Sequence, residues 1–160
     1  MTRRNACLLF VLAAAFPTLT YAAERGEAKA RVAGKAVAID YGRPELKGRD
    51  MLAQAEVGRP WRMGKDAATT LKTEADLKFG EVAIPMGDYI LTATKLAADK
   101  WQLNFANAAD RAAVGSVPLS TEKLAGSVET FTIELSGQGE AGELQLKWGG
   151  VALKTGFTGR

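Results

Sequence analysis

Two glycine-punctuated stretches of this 160-residue chain carry residues suited to recognition chemistry. The first, "IDYGRPELKGRDML", covers 39–52 and holds Arg43, Lys47 and Arg49. The second, "WRMGKDAATT", covers 61–70 and holds Arg62. A guanidinium is a planar, permanently charged fork of N–H donors whose geometry matches a carboxylate or a phosphate. Tyr41 and Trp61 offer aromatic faces on which a sugar or a planar ligand can stack, and Asp40, Asp66 and Thr70 add hydrogen-bonding groups. Read for function, Asp40, Tyr41, Arg43, Trp61, Arg62, Asp66 and Thr70 are a candidate binding set for a small polar or anionic ligand, or for a component of the cell envelope. Read for structure, Arg43 and Arg62 pair with Asp40 and Asp66 to pin a long loop to a sheet, and Trp61 fills the core. Both readings stand at the level of sequence.

Other chemistries are excluded by composition. The chain has no histidine and one cysteine, Cys7. That rules out the usual structural zinc sites, haem held by histidine, and nucleophiles activated by an imidazole. "GKDAATT" and "SGQGEAGE" supply oxygen atoms but lack the alternating acidic spacing of a calcium loop, so neither a metal nor a cofactor is expected. Two carboxylates can hydrolyse a glycoside without histidine. Asp40, Asp66 and Asp88 all sit near turns, which keeps a carbohydrate-active hydrolase as an alternative to non-catalytic binding. A third reading is a structural or assembly partner that adds a strand along a sheet edge.

The N-terminus bears on where this happens. "MTRRNACLLFVLAAAFPTLTYA" has a basic head at Arg3-Arg4, an apolar run from Ala6 to Phe16, and small residues before a cut after Ala22. This is the pattern of a secretory signal peptide, and the run is too short to span a bilayer. The arginine pair lacks the hydrophobic residues that follow it in a twin-arginine signal, so the general secretory route is favoured. Residues 1–22 are therefore expected to be removed, leaving one domain over 23–160 in the periplasm or outside the cell, with no membrane insertion after cleavage. Cys7 leaves with the signal. Without Arg3 and Arg4 the chain carries 19 basic and 18 acidic residues, a net charge of +1. Such a balance, with no basic run, gives no reason to expect nucleic acid as a partner.

The candidate residues must be held by strands. "YILTA" (89–93), "WQLNF" (101–105), "FTIEL" (131–135) and "LQLKW" (144–148) alternate apolar and polar residues, the mark of half-buried antiparallel strands. Further strands are expected at 36–41, 68–73, 76–84 and 151–154. Turns are expected at "PMGD" (85–88), Thr121-Glu122-Lys123, "SGQGEAG" (136–142) and "GG" (149–150). "AADRAAV" (108–114) allows one short turn of helix, and 23–30 is expected to fray. The whole predicts an all-β fold, an antiparallel β-sandwich-like single domain.

"IDYGRPELKGRDM", "WRMGKDAATT", "AIPMGDYILTA" and "WQLNF" come in the order and at about the spacing of a bacterial family known as domain of unknown function 2911, which the chain resembles over nearly all of 23–160. Members show Tyr-Ser-Arg-Pro-x-x-Lys-Gly-Arg, then Trp-Arg-Thr-Gly-Ala-Asn-x-Ala-Thr, then Leu-Pro-Ala-Gly-x-Tyr, and a Val-Glu-x-Phe-x-Ile strand echoed here by "VETFTI" (128–133). The resemblance implies an exported, β-rich protein of undetermined activity. Met63, Lys65 and Asp66 depart from the threonine, alanine and asparagine usual there. A Trp-Gly-x-Tyr segment after the "WQLNF" strand is replaced by "ANAADRAAVG" (106–115), so no site is carried over at that point.

Overall fold

The computed structural model describes residues 24–160, and the expected signal peptide lies outside the described residues. Where apolar residues alternate, the backbone is extended and the alternating side chains are buried. Tyr89, Leu91 and Ala93 point inward from β7 (Gly87–Ala97), Trp101, Leu103 and Phe105 from β8 (Lys100–Asn107). Phe131 and Ile133 do so from β9 (Ala113–Gln138), and Leu144, Leu146 and Trp148 from β10 (Ala141–Gly159). The other strands are β1 (Arg25–Val32), β2 (Lys35–Gly42), β3 (Pro60–Trp61), β4 (Thr69–Thr73), β5 (Leu77–Phe79) and β6 (Val82–Ile84). Among the described residues there is no helix.

Every strand pairing is antiparallel, in the order β1-β2-β4-β7-β8-β9-β10-β5-β6, with β3 attached to β7. The long β9 acts as the corner. Its first part pairs with β8 up to Leu119, and from Ser120 onward it pairs with β10. The sheet thereby folds over itself, and β2 comes to lie against the far half of β9. The Tyr41 hydroxyl donates to the Ile133 carbonyl at 3.3 Å, and the Tyr41 ring meets Phe131 edge-on. The backbone N–H of Ala33 reaches the carbonyl of Gly139 at 2.6 Å. The result is the all-β, sandwich-like antiparallel architecture expected from the alternation, with one apolar core between the layers.

Local expectations fail where short-range pattern was asked to locate a turn. Residues 76–84 are a hairpin of two strands, because Gly80 takes φ +55° between them. Residues 108–114 form no helix. Asn107 and Asp110 accept hydrogen bonds from the N–H groups of Ala109 and Ala112, a pair of side-chain turns that closes the β8–β9 connection instead. Thr121-Glu122-Lys123 lies within β9, facing β10. Gly149 and Gly150 make no turn either. Gly149, at φ +63°, absorbs an irregularity in the β9–β10 register, and β10 continues past it. Of the stretch expected to fray, the described residues 24–30 enter β1 at Arg25, since pairing with β2 satisfies a backbone whose side chains alone give no strong signal.

Candidate functional site

The loop after β2 is held by the backbone. Phe131 N–H donates to Pro44 O (2.9 Å), and Leu46 N–H to Glu129 O (3.0 Å), so residues 44–46 run along β9. The Glu129 carboxylate also accepts the N–H of Lys47 at 2.9 Å. Leu46 and Leu52 are buried beneath it. The second stretch folds as a tight turn between β3 and β4. Met63 is fully buried at φ +55°, and its carbonyl accepts the hydroxyl of the equally buried Thr69 at 2.7 Å. The two loops meet where Gly42 and Gly64 cross: a Cβ on Gly42 would stand 2.1 Å from the Lys65 carbonyl oxygen, and one on Gly64 would stand 2.9 Å from that of Gly42. No other residue type fits such a backbone crossing.

The seven candidates are not gathered at one point. Asp40, on β2, accepts from the guanidinium of Arg25, not from Arg43. With Glu27, Thr70, Lys72 and Asp88 it lines a hollow of about 310 Å³ on an exposed face of the sheet. Tyr41 is a core residue, 3% exposed. Arg62 is exposed and donates to the Asp66 main-chain carbonyl at 3.2 Å; the Asp66 side chain is exposed at φ +63°. Trp61 is half-buried against the core, stacked on Trp148 with ring centroids 5.7 Å apart and planes 11° apart.

Arg43 belongs to a different constellation. It lines a cavity of about 440 Å³ together with Glu24, Pro44, Glu45, Lys47, Arg49 and Lys65. Its Nη1 donates to Glu24 at 3.2 Å, while its Nε is buried and has no hydrogen-bond partner among the described residues. Among those residues, Lys47, Arg49 and Lys65 take part in no ion pair within 4 Å. Four cations therefore face two carboxylates across a cleft whose walls are fixed by main-chain bonds. Such a site attracts an anion, and its rigid backbone spares the ordering cost of binding. In the sequence Lys65 stands out only as a departure from the family pattern. The signal that places it here, the Gly42–Gly64 crossing, depends on long-range packing.

For carboxylate chemistry the layout is less favourable. Asp66 stands on the turn after β3, away from the hollow that Asp40 and Asp88 share. Those two lie on β2 and β7 with β4 between them, offset by two register positions. Strand spacing then separates their Cα atoms by roughly 12 Å. Ser120 and Lys123 stand at the spacing that on a helix brings a nucleophile and a base together. On a strand, residues three apart face opposite sides. The Ser120 hydroxyl donates instead to the Lys154 carbonyl at 3.2 Å.

Residues 23–157 match the family model described as "Protein of unknown function (DUF2911)". The chain belongs to that family. Its four ordered motifs supply the loop after β2, the β3–β4 turn, the turn before β7 and strand β8, so family pattern and tertiary framework coincide. No curated protein and no solved structure matches the chain.

Proposed function

We propose that this DUF2911 protein is exported, its signal peptide being cut after Ala22, and that it binds a small anionic ligand, or an envelope component carrying such a group, without catalysis. The observation that carries the reading is the cleft lined by Arg43, Lys47, Arg49 and Lys65, the last three of which take part in no ion pair among the described residues. A phosphate or carboxylate oxygen is the acceptor that both the fork of Arg43 and the mobile ammonium groups accommodate.

The test is calorimetric titration of the purified protein with inorganic pyrophosphate and citrate at low and physiological salt. Binding should weaken as salt rises, because the side chains that contribute it are partly solvated. Lys65→Glu with Arg49→Glu should reduce affinity at least about tenfold, equivalent to about 1.4 kcal/mol, with little change in melting temperature. If neither anion binds, or if the double reversal leaves binding intact, the cleft is not a ligand site. N-terminal sequencing of the exported product checks the cleavage, with Ala23 expected first.

A further inference from the structure

A second cavity, of about 370 Å³, lies over Trp61 and is lined also by Met51, Gln54, Ala55, Glu56, Arg59, Pro60 and Trp148. We infer that it is a subsite for a neutral saccharide, and this inference does not depend on the anion cleft. The floor is unusually fixed. Trp61 is stacked on Trp148 and set edge-on to Phe131 and Trp101 at 5.1 and 6.2 Å. The Trp148 indole N–H is itself anchored on the Glu129 carbonyl at 3.3 Å. Trp101 and Trp148 are each 4% exposed, whereas Trp61 keeps part of its indole open.

The facing wall is equally constrained. Residues 50–54 make one hydrogen-bonded turn, with Gln54 N–H on Asp50 O at 3.1 Å and Ala53 N–H on the Asp50 carboxylate at 3.0 Å. Beneath it the buried Lys95 ammonium donates to the carbonyls of Leu52 and Ala53 at 3.2 and 3.0 Å. The same ammonium lies over the Trp101 ring, 6.0 Å from its centroid, so a cation that is costly to bury ties this wall to the aromatic floor.

The polar rim selects the ligand class. Glu56 and Arg59 form a 3.2 Å ion pair with each other, so the rim carries no net charge and favours an uncharged ligand. Together with the Gln54 amide they offer donors and acceptors side by side. A sugar hydroxyl, which donates and accepts at once, uses both. The C–H-rich face of a pyranose sheds water against an indole while its hydroxyls reach the rim. An apolar bed with a few convergent polar groups is the general form of a small-ligand pocket, and this volume lies near the lower end of the range, suiting one or two sugar rings.

The experiment is a neutral-glycan array probed with the full chain, followed by titration of the best disaccharide monitored by tryptophan fluorescence. With its two companions buried, Trp61 should report saturation. Gln54→Ala and Arg59→Ala, both at exposed positions, should each weaken binding at least about fivefold without shifting the melting temperature, and Trp61→Ala should abolish it. Trp61→Ala alone could act by unfolding the protein, which is why the two rim variants decide. No neutral glycan above background, binding indifferent to both rim variants, or preference for free indole over every sugar would each overturn the proposal.

Discussion

Gly42→Ala is the sharpest test of how the two loops are joined. Gly42 ends β2, and an added Cβ would sit 2.1 Å from the Lys65 carbonyl oxygen and 2.7 Å from its nitrogen. Ordinary contact begins near 3.4 Å, so the Lys65 backbone must retreat by about 1.3 Å. It has little room to do so. The turn is anchored on one side by fully buried Met63 and on the other by the Thr69–Met63 hydrogen bond. Forcing atoms into a packed region costs about 1–3 kcal/mol, and a chain of this size loses roughly 2–4 °C of melting temperature per kcal/mol. A fall of about 4–8 °C is expected at the middle of that range. Gly126→Ala is the matched control, since a Cβ there meets nothing within 4 Å on a strand. Thermal and urea melts of the two variants, taken in parallel, give the answer. Melting within about 1 °C of the Gly126 variant would show that the loops do not touch through this pair. Affinity for pyrophosphate should drop in the same variant, because the displaced backbone carries Lys65 away from Arg43.

Two further predictions concern buried polar groups. Lys95→Met should cost about 1–3 kcal/mol, because the carbonyls of Leu52 and Ala53 lose their shared donor. Amide exchange over 50–56 should rise with it, and an unchanged or higher melting temperature would mean that ammonium burial outweighs those bonds. Burial, with the Asp76 carboxylate as a smaller contribution, raises the Tyr89 hydroxyl above its ordinary pKa of 10.0. The unfolded chain therefore releases this proton first, and the associated stability, complete below pH 10.0, is lost as pH climbs through the folded value. Tyr89→Phe should be less stable at neutral pH by about 1 kcal/mol, for its lost bond to the Pro85 carbonyl, and should decline less steeply between about pH 10 and 12. Parallel slopes in urea melts across that range would refute the linkage.

What the sequence disclosed follows from the distance over which each signal acts. Alternation at 89–93, 101–105, 131–135 and 144–148 is a direct record of which side chains face a core, and those strands were legible with their inward faces. The length of β9 was not, because Thr121-Glu122-Lys123 is polar on both faces and its extension is imposed by β10. The same limit applies to the site. That Arg43 would matter could be read from a charged fork between Gly42 and Pro44. That Asp40 would be claimed by Arg25 depends on the cross-strand meeting of β1 with β2, which no local pattern records.

The staples expected from Arg43 to Asp40 and from Arg62 to the Asp66 carboxylate do not form: Arg43 pairs with Glu24, and Arg62 donates to the Asp66 main-chain carbonyl. Instead, main-chain bonds to β9, the Gly42–Gly64 crossing and buried Leu46, Leu52 and Met63 hold the loops. Beside them Lys47, Arg49 and Lys65 take part in no ion pair among the described residues, so their positive charge is left over. Self-repulsion in such a cluster opposes folding, so charge that the fold does not require is a cost without structural return. Removing it should stabilise the protein: Lys65→Ala is expected to raise the melting temperature slightly, or leave it unchanged, while weakening anion binding. A clear loss of stability in Lys65→Ala would show that the ammonium group serves the loop after all, and the case for a ligand in the cleft would lose its physical basis.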